Sequence, residues 1–538
     1  MNESATVERE AESTGAVVGK SVNDRIRVFL PSISDCIFMA LMLMLFVGGF
    51  GWMTLLADGD TGVHIRTGDW ILSTHTAPTH DPFSYTVPDK PWYAWEWLAD
   101  LVFAALFRIA GLKGVVLFSG TVICLALTIL FRHMVWRGAG VHIALLLTLV
   151  AANALRFHFL ARPHIFTTLL AAASLWLLDS DWTKPTRKLW LLVPIAVVWA
   201  NLHGGFLVLL LGEALFTAAA LLRREWPRAK RYGALAVAGS AATLINPYGW
   251  NLHLHIWDYL RSEWLVKTID EFRSPQFREG SMLSFEILLF LGLILVLNLV
   301  RARQYRDALL ILCWAHAALL SVRHVTIYVI AAAPAIAQQL EIGWDRWTAW
   351  QARSSIRGVV RDLVHELAPH AKRTSIWPPL FLCVLAFSNF GSRWPSDFPS
   401  VSFPTAMVSR NASLLAGTNH QGSRILNPDF WGGYLTFKLY PCRCVFIDGR
   451  SDYFGPKILG DYASLRSVAD NWQELTDRYR FHFALVPRNW PLASALRHSE
   501  GWQLRDEDLQ ALLFERVGDD ISRVKTPVYR PPATVPTR

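Results

Sequence analysis

The sequence predicts an α-helical polytopic membrane protein that carries a C-terminal soluble α/β domain, and three observations predict it. Hydrophobic residues make up 52% of the 538 positions and charged residues only 18%, and a mean hydropathy of +0.27 is too apolar for a soluble chain. Much of this apolar content lies in runs that suit a hydrocarbon layer of about 30 Å. The 24 tryptophans fit a chain with many membrane–water boundaries, where amphipathic rings collect. After Phe390 the long runs stop and short strand and helix patterns begin. Disordered, collagen-like and purely soluble classes are excluded. The net charge of +9 is distributed as a topology signal, so no nucleic-acid partner is expected.

Residues 1–34 read as a cytoplasmic tail. The string GAVVGKS at residues 15–21 has three residues between its glycines where a phosphate-binding loop has four, and no strand leads into it. Residues 36–56 read as an uncleaved first span. Further apolar runs begin near Gly114, His142, His164, Leu189, Gly204, Gly233, Met282, Leu309, Val325 and Trp377. Basic loops at residues 223–231, 301–306 and 346–373 belong on the cytoplasmic side. Alternation then places the basic loops at 184–188 and 132–137 there as well. Residues 95–110 are apolar enough to span, but they carry Glu96, Asp100 and Arg108, and counting them would invert every later loop. They are expected to lie along the outer surface or re-enter it. The result is about eleven spans plus interfacial helices. The membrane domain covers residues 35–391, with an outer loop at 57–113. In a bacterial inner membrane the N-terminus is then cytoplasmic and the C-terminal part periplasmic. The six cysteines form no disulfide framework.

This topology brings polar groups from separate spans to one face. Asp58, Asp60, His64 and Arg66 come first, then Arg162 and His164, then Asn201 and His203, then Arg323 and His324. The outer loop at 248–280 adds His253, His255, Asp270 and Glu271. Charged groups at span ends are costly unless they serve a cavity or a site. Asp58-Gly59-Asp60 is a polar helix end in the plain reading, and a carboxylate general base for an acceptor hydroxyl in the chemical one. The sugar donor would then be lipid-carried, with its phosphate at the same depth. Arg162, Arg323 and Arg66 are the candidate phosphate partners, helped by His164, His203 and His324; snorkelling to headgroups is the alternative use of each arginine. His64, Asn201 and His203 are candidate substrate contacts. Asp58, Asp60 and His203, with His64, His253 and His255 nearby in sequence, could supply ligands for one divalent ion, although no spacing has the specificity of a zinc motif.

Residues 58–111 read Asp-Gly-Asp-Thr-Gly-Val-His, then Thr67-Gly68-Asp69-Trp70, Pro78, Asp81-Pro82-Phe83-Ser84, Trp95-Glu96-Trp97-Leu98 and Gly111. The stretch resembles the first outer loop of the GT-C glycosyltransferase superfamily, with protein O-mannosyltransferases and lipid A aminoarabinose transferases as the nearest named relatives. The resemblance implies a many-span fold in which interfacial helices follow an acidic motif, and a polyprenyl-phosphate sugar as donor. It places Asp60 at the catalytic aspartate, with Asp58 second. Thr61 stands where the family has Glu, which leaves the acceptor chemistry open. The expected activity is inverting transfer of the sugar to an acceptor hydroxyl at the outer face. Membrane lipids, the lipid-linked sugar and an acceptor (protein, lipid or glycan) are the partners. Two other classes compete. A transporter or flippase for a lipid-linked glycan would line a path through both halves of the bilayer, and a non-catalytic scaffold would bind a partner through its outer domain.

Residues 392–526 predict a small layered α/β domain. Strands are expected at 423–426, 444–447, 481–486 and 511–514, and helices at 461–468, 471–479 and 491–498. Its most distinctive strings are FWGGYL at 430–435 and IDGRSD at 447–452. Asp448 and Arg450 suit either a ligand contact past a strand end or a buried ion pair, the reading favoured here. Residues 527–538 are expected to be disordered.

Overall fold

The computed structural model describes residues 29–47, 51–278, 280–350, 355–371, 375–387, 394–416 and 422–517. The GAVVGKS string and the expected disordered tail at 527–538 lie outside these residues. Among the described residues, four helices are long and apolar enough to cross a membrane: Trp97–Trp136, Gly204–Leu222, Gly280–Arg301 and Val322–Thr348. Shorter apolar helices include Ile33–Phe46, Val141–Ala154 and Trp377–Phe387.

Apolar residues lie on every side of these helices, not along one stripe. In Leu283–Arg301, Leu288 and Leu289 are buried while Ile294 and Leu297 are 68% and 66% exposed. An outward apolar face of that kind suits hydrocarbon and not water. The Val325–Thr348 helix sits at the centre, with Val325 through Ala337 buried almost without interruption. The Trp97–Trp136 helix is broken at Ala110 and at Gly111, whose φ of +60° is open to glycine. The break ends the segment that sequence sets apart from the spans, and residues 112–136 continue as a separate helical run.

The C-terminal part holds a four-stranded sheet of β1 (Arg424–Leu426), β2 (Phe481–Pro487), β3 (Trp502–Glu507) and β4 (Ala511–Arg516). The strand order is β1-β2-β4-β3, with β1 parallel to β2 and the other pairs antiparallel. Every residue of β2 is buried, whereas β3 alternates and turns its charged residues outward. Two strand expectations need correction. Residues 444–447 do not join the sheet; Val445 bridges Ser84 of the first outer loop, and its N–H donates to the Phe83 carbonyl at 2.9 Å. An extended apolar segment shows its strand character in sequence but not its pairing partner. The unexpected strand is β3, whose polar alternation is that of an edge. The FWGGYL string, expected only as a distinctive feature, lies in a helix, Asp429–Leu439.

The C-terminal part and the first outer loop share one core. Phe83 and Trp92 of the loop pack with Phe446, Ile447 and Tyr453, Tyr85 Oη donates to the Ile425 carbonyl at 2.9 Å, and Arg66 Nε donates to the Phe437 carbonyl at 2.9 Å. This body covers the acidic motif.

Candidate active site

Asp60 opens the Asp60–Thr74 helix, where the helix dipole favours a carboxylate. Asp58 accepts the Asp60 backbone N–H at 2.9 Å. The motif lies directly beneath the Asp429–Leu439 helix. A Cβ on Gly433 would meet the Gly59 carbonyl oxygen at 2.3 Å, and one on Gly62 would meet the Gly433 carbonyl at 2.5 Å. Only glycine permits this approach. The 448–450 loop closes the remaining side: a Cβ on Gly449 would lie 2.2 Å from Asp60 Oδ1.

Two arginines join the acids to the membrane helices. Arg162 precedes the His164–Thr183 helix and reaches Asp58 at 2.7 Å, Asp60 at 3.1 Å and Glu271 at 3.4 Å. Its loop is tied to the motif because Thr61 Oγ1 donates to the Ala161 carbonyl at 3.0 Å. Arg323, in the turn before the Val325–Thr348 helix, reaches the other Glu271 oxygen at 3.3 Å; its guanidinium also lies over the Phe272 ring at 4.9 Å. Ser321 Oγ holds the Glu271 carbonyl at 2.8 Å. The result is a continuous chain of charge: Asp58 and Asp60, Arg162, Glu271, Arg323.

A second polar group adjoins it around Glu96. His203 Nε2 lies 3.4 Å from Glu96 and His64 Nε2 3.9 Å, while His64 Nδ1 bonds Asp100 at 2.6 Å. His203 is oriented by Thr167 Oγ1 at 2.8 Å and by the Gly205 N–H at 2.9 Å.

Burial and the neighbouring Asp58 carboxylate push the Asp60 carboxyl up to about 7, against the opposing pull of Arg162 and His64. Burial would raise Asp58 too, but Arg162 and the Asp60 N–H outweigh it and hold Asp58 below its ordinary value. Like charges so close separate their titrations, so one acid of the pair takes a proton near neutrality and the other stays ionised. Burial also raises Glu96 to about 7. Acids poised there suit proton transfer.

The other sequence candidates have their side chains engaged by different partners, although His164 borders the site beside Arg162 and Glu271. Arg66 fixes the C-terminal helix by stacking its guanidinium over Phe437, 5.3 Å from the ring centroid, and does not join Arg162. Asn201 accepts from Trp97 Nε1 at 2.7 Å and donates to the Val197 and Ile245 carbonyls at 2.7 and 2.8 Å, so its side chain serves packing. His164 is bonded to the His158 carbonyl at 2.8 Å, and His324 turns to the Ala317 carbonyl at 3.3 Å. Asp58 and Asp60 face Arg162 while His203 faces Glu96, so these three do not converge as metal ligands. Among the described residues no group of three or more His, Cys, Asp or Glu side chains is arranged to hold a metal ion. His255 stacks on Trp95 at 4.3 Å and His253 bonds Thr243 at 2.9 Å. Sequence reasoning did not select Glu96, Glu271 or Gly449 as site residues. Trp95-Glu96-Trp97 is the one visible hint, an acid between two interfacial indoles. Asp448 and Arg450 form the buried ion pair, shared with Asp81.

Neither a family model nor a curated protein matches the chain. The fold nonetheless places the chain among multi-pass membrane proteins of known structure. Within that class the chain superposes on the archaeal oligosaccharyltransferase AglB from Archaeoglobus fulgidus, solved with an inhibitory peptide and a dolichol-phosphate. The TM-score is 0.60 at 11% identity, covering 84% of this chain and 69% of that one. The apo form of the Archaeoglobus fulgidus enzyme gives 0.58, with the same identity and coverage. ArnT from Cupriavidus metallidurans bound to undecaprenyl phosphate gives 0.47 at 14% identity, covering 89% of this chain and 97% of that one.

Proposed function

We propose that the protein is a GT-C-type glycosyltransferase of a bacterial inner membrane, with about eleven spans and residues 392–526 in the periplasm. It transfers a sugar from a polyprenyl-phosphate donor to an acceptor hydroxyl at the outer face, with inversion. The acceptor O–H gives its proton to Asp60, and the acceptor oxygen bonds the anomeric carbon from the side opposite the phosphate. The carbon–oxygen bond to phosphate breaks with its electron pair, and polyprenyl phosphate leaves. Arg162 and Arg323 neutralise that leaving charge. Both are held by carboxylates here, and Glu271 is the more exposed of Arg162's partners, at 39% against 27% for Asp58 and 18% for Asp60. The donor phosphate therefore takes the place of Glu271.

The observation that supports this reading is Asp60 itself: half-buried under Gly449, paired with Arg162, and pushed up to about 7 beside Asp58. Asp60 must be deprotonated to accept the hydroxyl proton. Transfer is expected to rise with pH up to about 7 and level off above it. Asp58→Asn removes the like charge that raises Asp60, so the limb should move to lower pH. Glu96 owes its rise to burial and Asp100, against the pull of His64, and not to Asp58. A limb unmoved by Asp58→Asn in a pH series with radiolabelled prenyl-phosphate sugars would transfer the role to Glu96.

Gly449→Ala is expected to displace the Asp60 carboxylate and slow transfer roughly a hundredfold. Gly460→Ala, with no atom within 4 Å of the added carbon, should leave the rate unchanged. Comparable rates in the two variants would show that the 448–450 loop does not position the acid.

A further inference from the structure

Three helices that begin at the acid site end together on the opposite face of the helical domain. Trp97–Trp136 leads from Glu96, through its break at Ala110 and Gly111, to Arg137, His164–Thr183 runs from Arg162 to Trp182, and Val325–Thr348 from Arg323 past Gln338. Between their far ends lies a cavity of about 320 Å³, within the range of small-molecule sites. Its walls carry the guanidiniums of Arg137, Arg223, Arg303 and Arg306 against two carboxylates, Asp179 and Asp307, with the Trp182 indole beside them.

The cations fall into two sets. Arg137 reaches Asp307 at 2.6 Å and Asp179 at 3.4 Å, and Arg306 pairs with the same two acids. These four side chains are nearly buried and lock the helix ends together, which accounts for them structurally. Arg223 and Arg303 are exposed at the cavity and are not accounted for in that way. Arg223 shares Glu225 with Arg228, and its Nη1 donates to the Arg303 carbonyl at 3.1 Å. Arg303 sits at φ +56° in its loop, a conformation unfavourable for arginine, and none of the carboxylates described pairs with it. Positive charge in such loops is expected from topology. The convergence of three loops' arginines on one indole-walled cavity is not.

We infer that this cavity binds a phosphate group, from a phospholipid headgroup or from a soluble phosphate ester. Guanidinium forks match phosphate oxygens two at a time, and basic pockets between membrane helices hold anionic headgroups in this manner. The site is separate from the sugar-transfer reading and does not depend on it.

The full-length protein is tested in two arms. Native mass spectrometry of protein from nanodiscs of mixed phosphatidylglycerol and phosphatidylcholine reads retained lipid, and thermal shift in detergent with inorganic phosphate, against chloride at equal ionic strength, reads the soluble form. The test variant is Arg223→Gln with Arg303→Asn, since Asn tolerates the left-handed backbone. Binding is expected to weaken about fivefold for each guanidinium removed. Arg301→Gln, in the same loop but outside the cavity, should bind as the native chain does. Replacing both arginines by Lys keeps the charge without the fork and should recover part of the loss, which separates a binding defect from misfolding. Preferential phosphatidylglycerol retention identifies a headgroup site, and a phosphate shift alone a soluble ligand. The inference is overturned if neither probe binds, or if the Gln/Asn variant binds both as well as the native chain.

Discussion

Asp60→Asn is expected to slow sugar transfer by roughly 10²–10⁴-fold, the usual contribution of a positioned general base, while donor binding stays near its native level. The amide keeps the shape of the carboxylate, and Arg162 retains Asp58 and Glu271, so the surrounding network should survive. What is lost is the acceptor for the hydroxyl proton. Purified protein supplied with radiolabelled prenyl-phosphate sugars reads both quantities, as label transferred and as label retained. Equal turnover by the two proteins would remove Asp60 from the mechanism. The loss should exceed that in Asp58→Asn, because Asp58 lies lower in proton affinity and acts through Arg162.

Arg450→Met is expected to have the largest effect on stability, about 3–5 kcal/mol, the cost of leaving buried carboxylates without their cation. Arg450 bonds Asp448 at 2.6 Å and Asp81 at 2.9 Å, and the side chains of these acids are 0% and 1% exposed. Its guanidinium also lies 4.7 Å from the centre of the Trp92 ring. Asp81 belongs to the first outer loop and Asp448 to the C-terminal part, so the same change loosens the joint between them. A lowered melting temperature and new protease cleavage near residues 81–92 are the expected signs. Arg450→Lys should be intermediate, since a single ammonium cannot serve two carboxylates with the same fork. An unchanged melting temperature in Arg450→Met would mean that apolar packing alone holds the joint.

The site was legible in sequence to the extent that it depends on position along the chain. Asp58 and Asp60 follow the first apolar run, and Arg162 and Arg323 begin later ones, so alternation alone puts them on one face. The many-span helical character followed from the apolar runs, and the resemblance to GT-C enzymes rested on the same loop. What depends on side-chain partners was not legible. Arg66 and Asn201 have the right residue types in the right places, but their donors are taken by carbonyls of Phe437, Val197 and Ile245. Glu271 was visible only as one acid in a polar loop, and nothing local shows that two arginines meet on it. Gly433 and Gly449 stood out only as parts of the FWGGYL and IDGRSD strings, because a close approach to Gly59 or Asp60 has no trace in their neighbours. For the same reason residues 444–447 looked like a sheet strand and paired instead with Ser84.

The covering of Asp60 by Gly433 and Gly449 has a consequence for biosynthesis. Arg66 and its partner Phe437 are 371 residues apart, so the ribosome finishes the whole membrane domain before the cover exists. Until then the two carboxylates lack the cover that contributes to their burial, although Arg162 is already made. The environment of Asp60 is thus completed only when residues 429–450 have been made, so a chain interrupted before them leaves this acid uncovered.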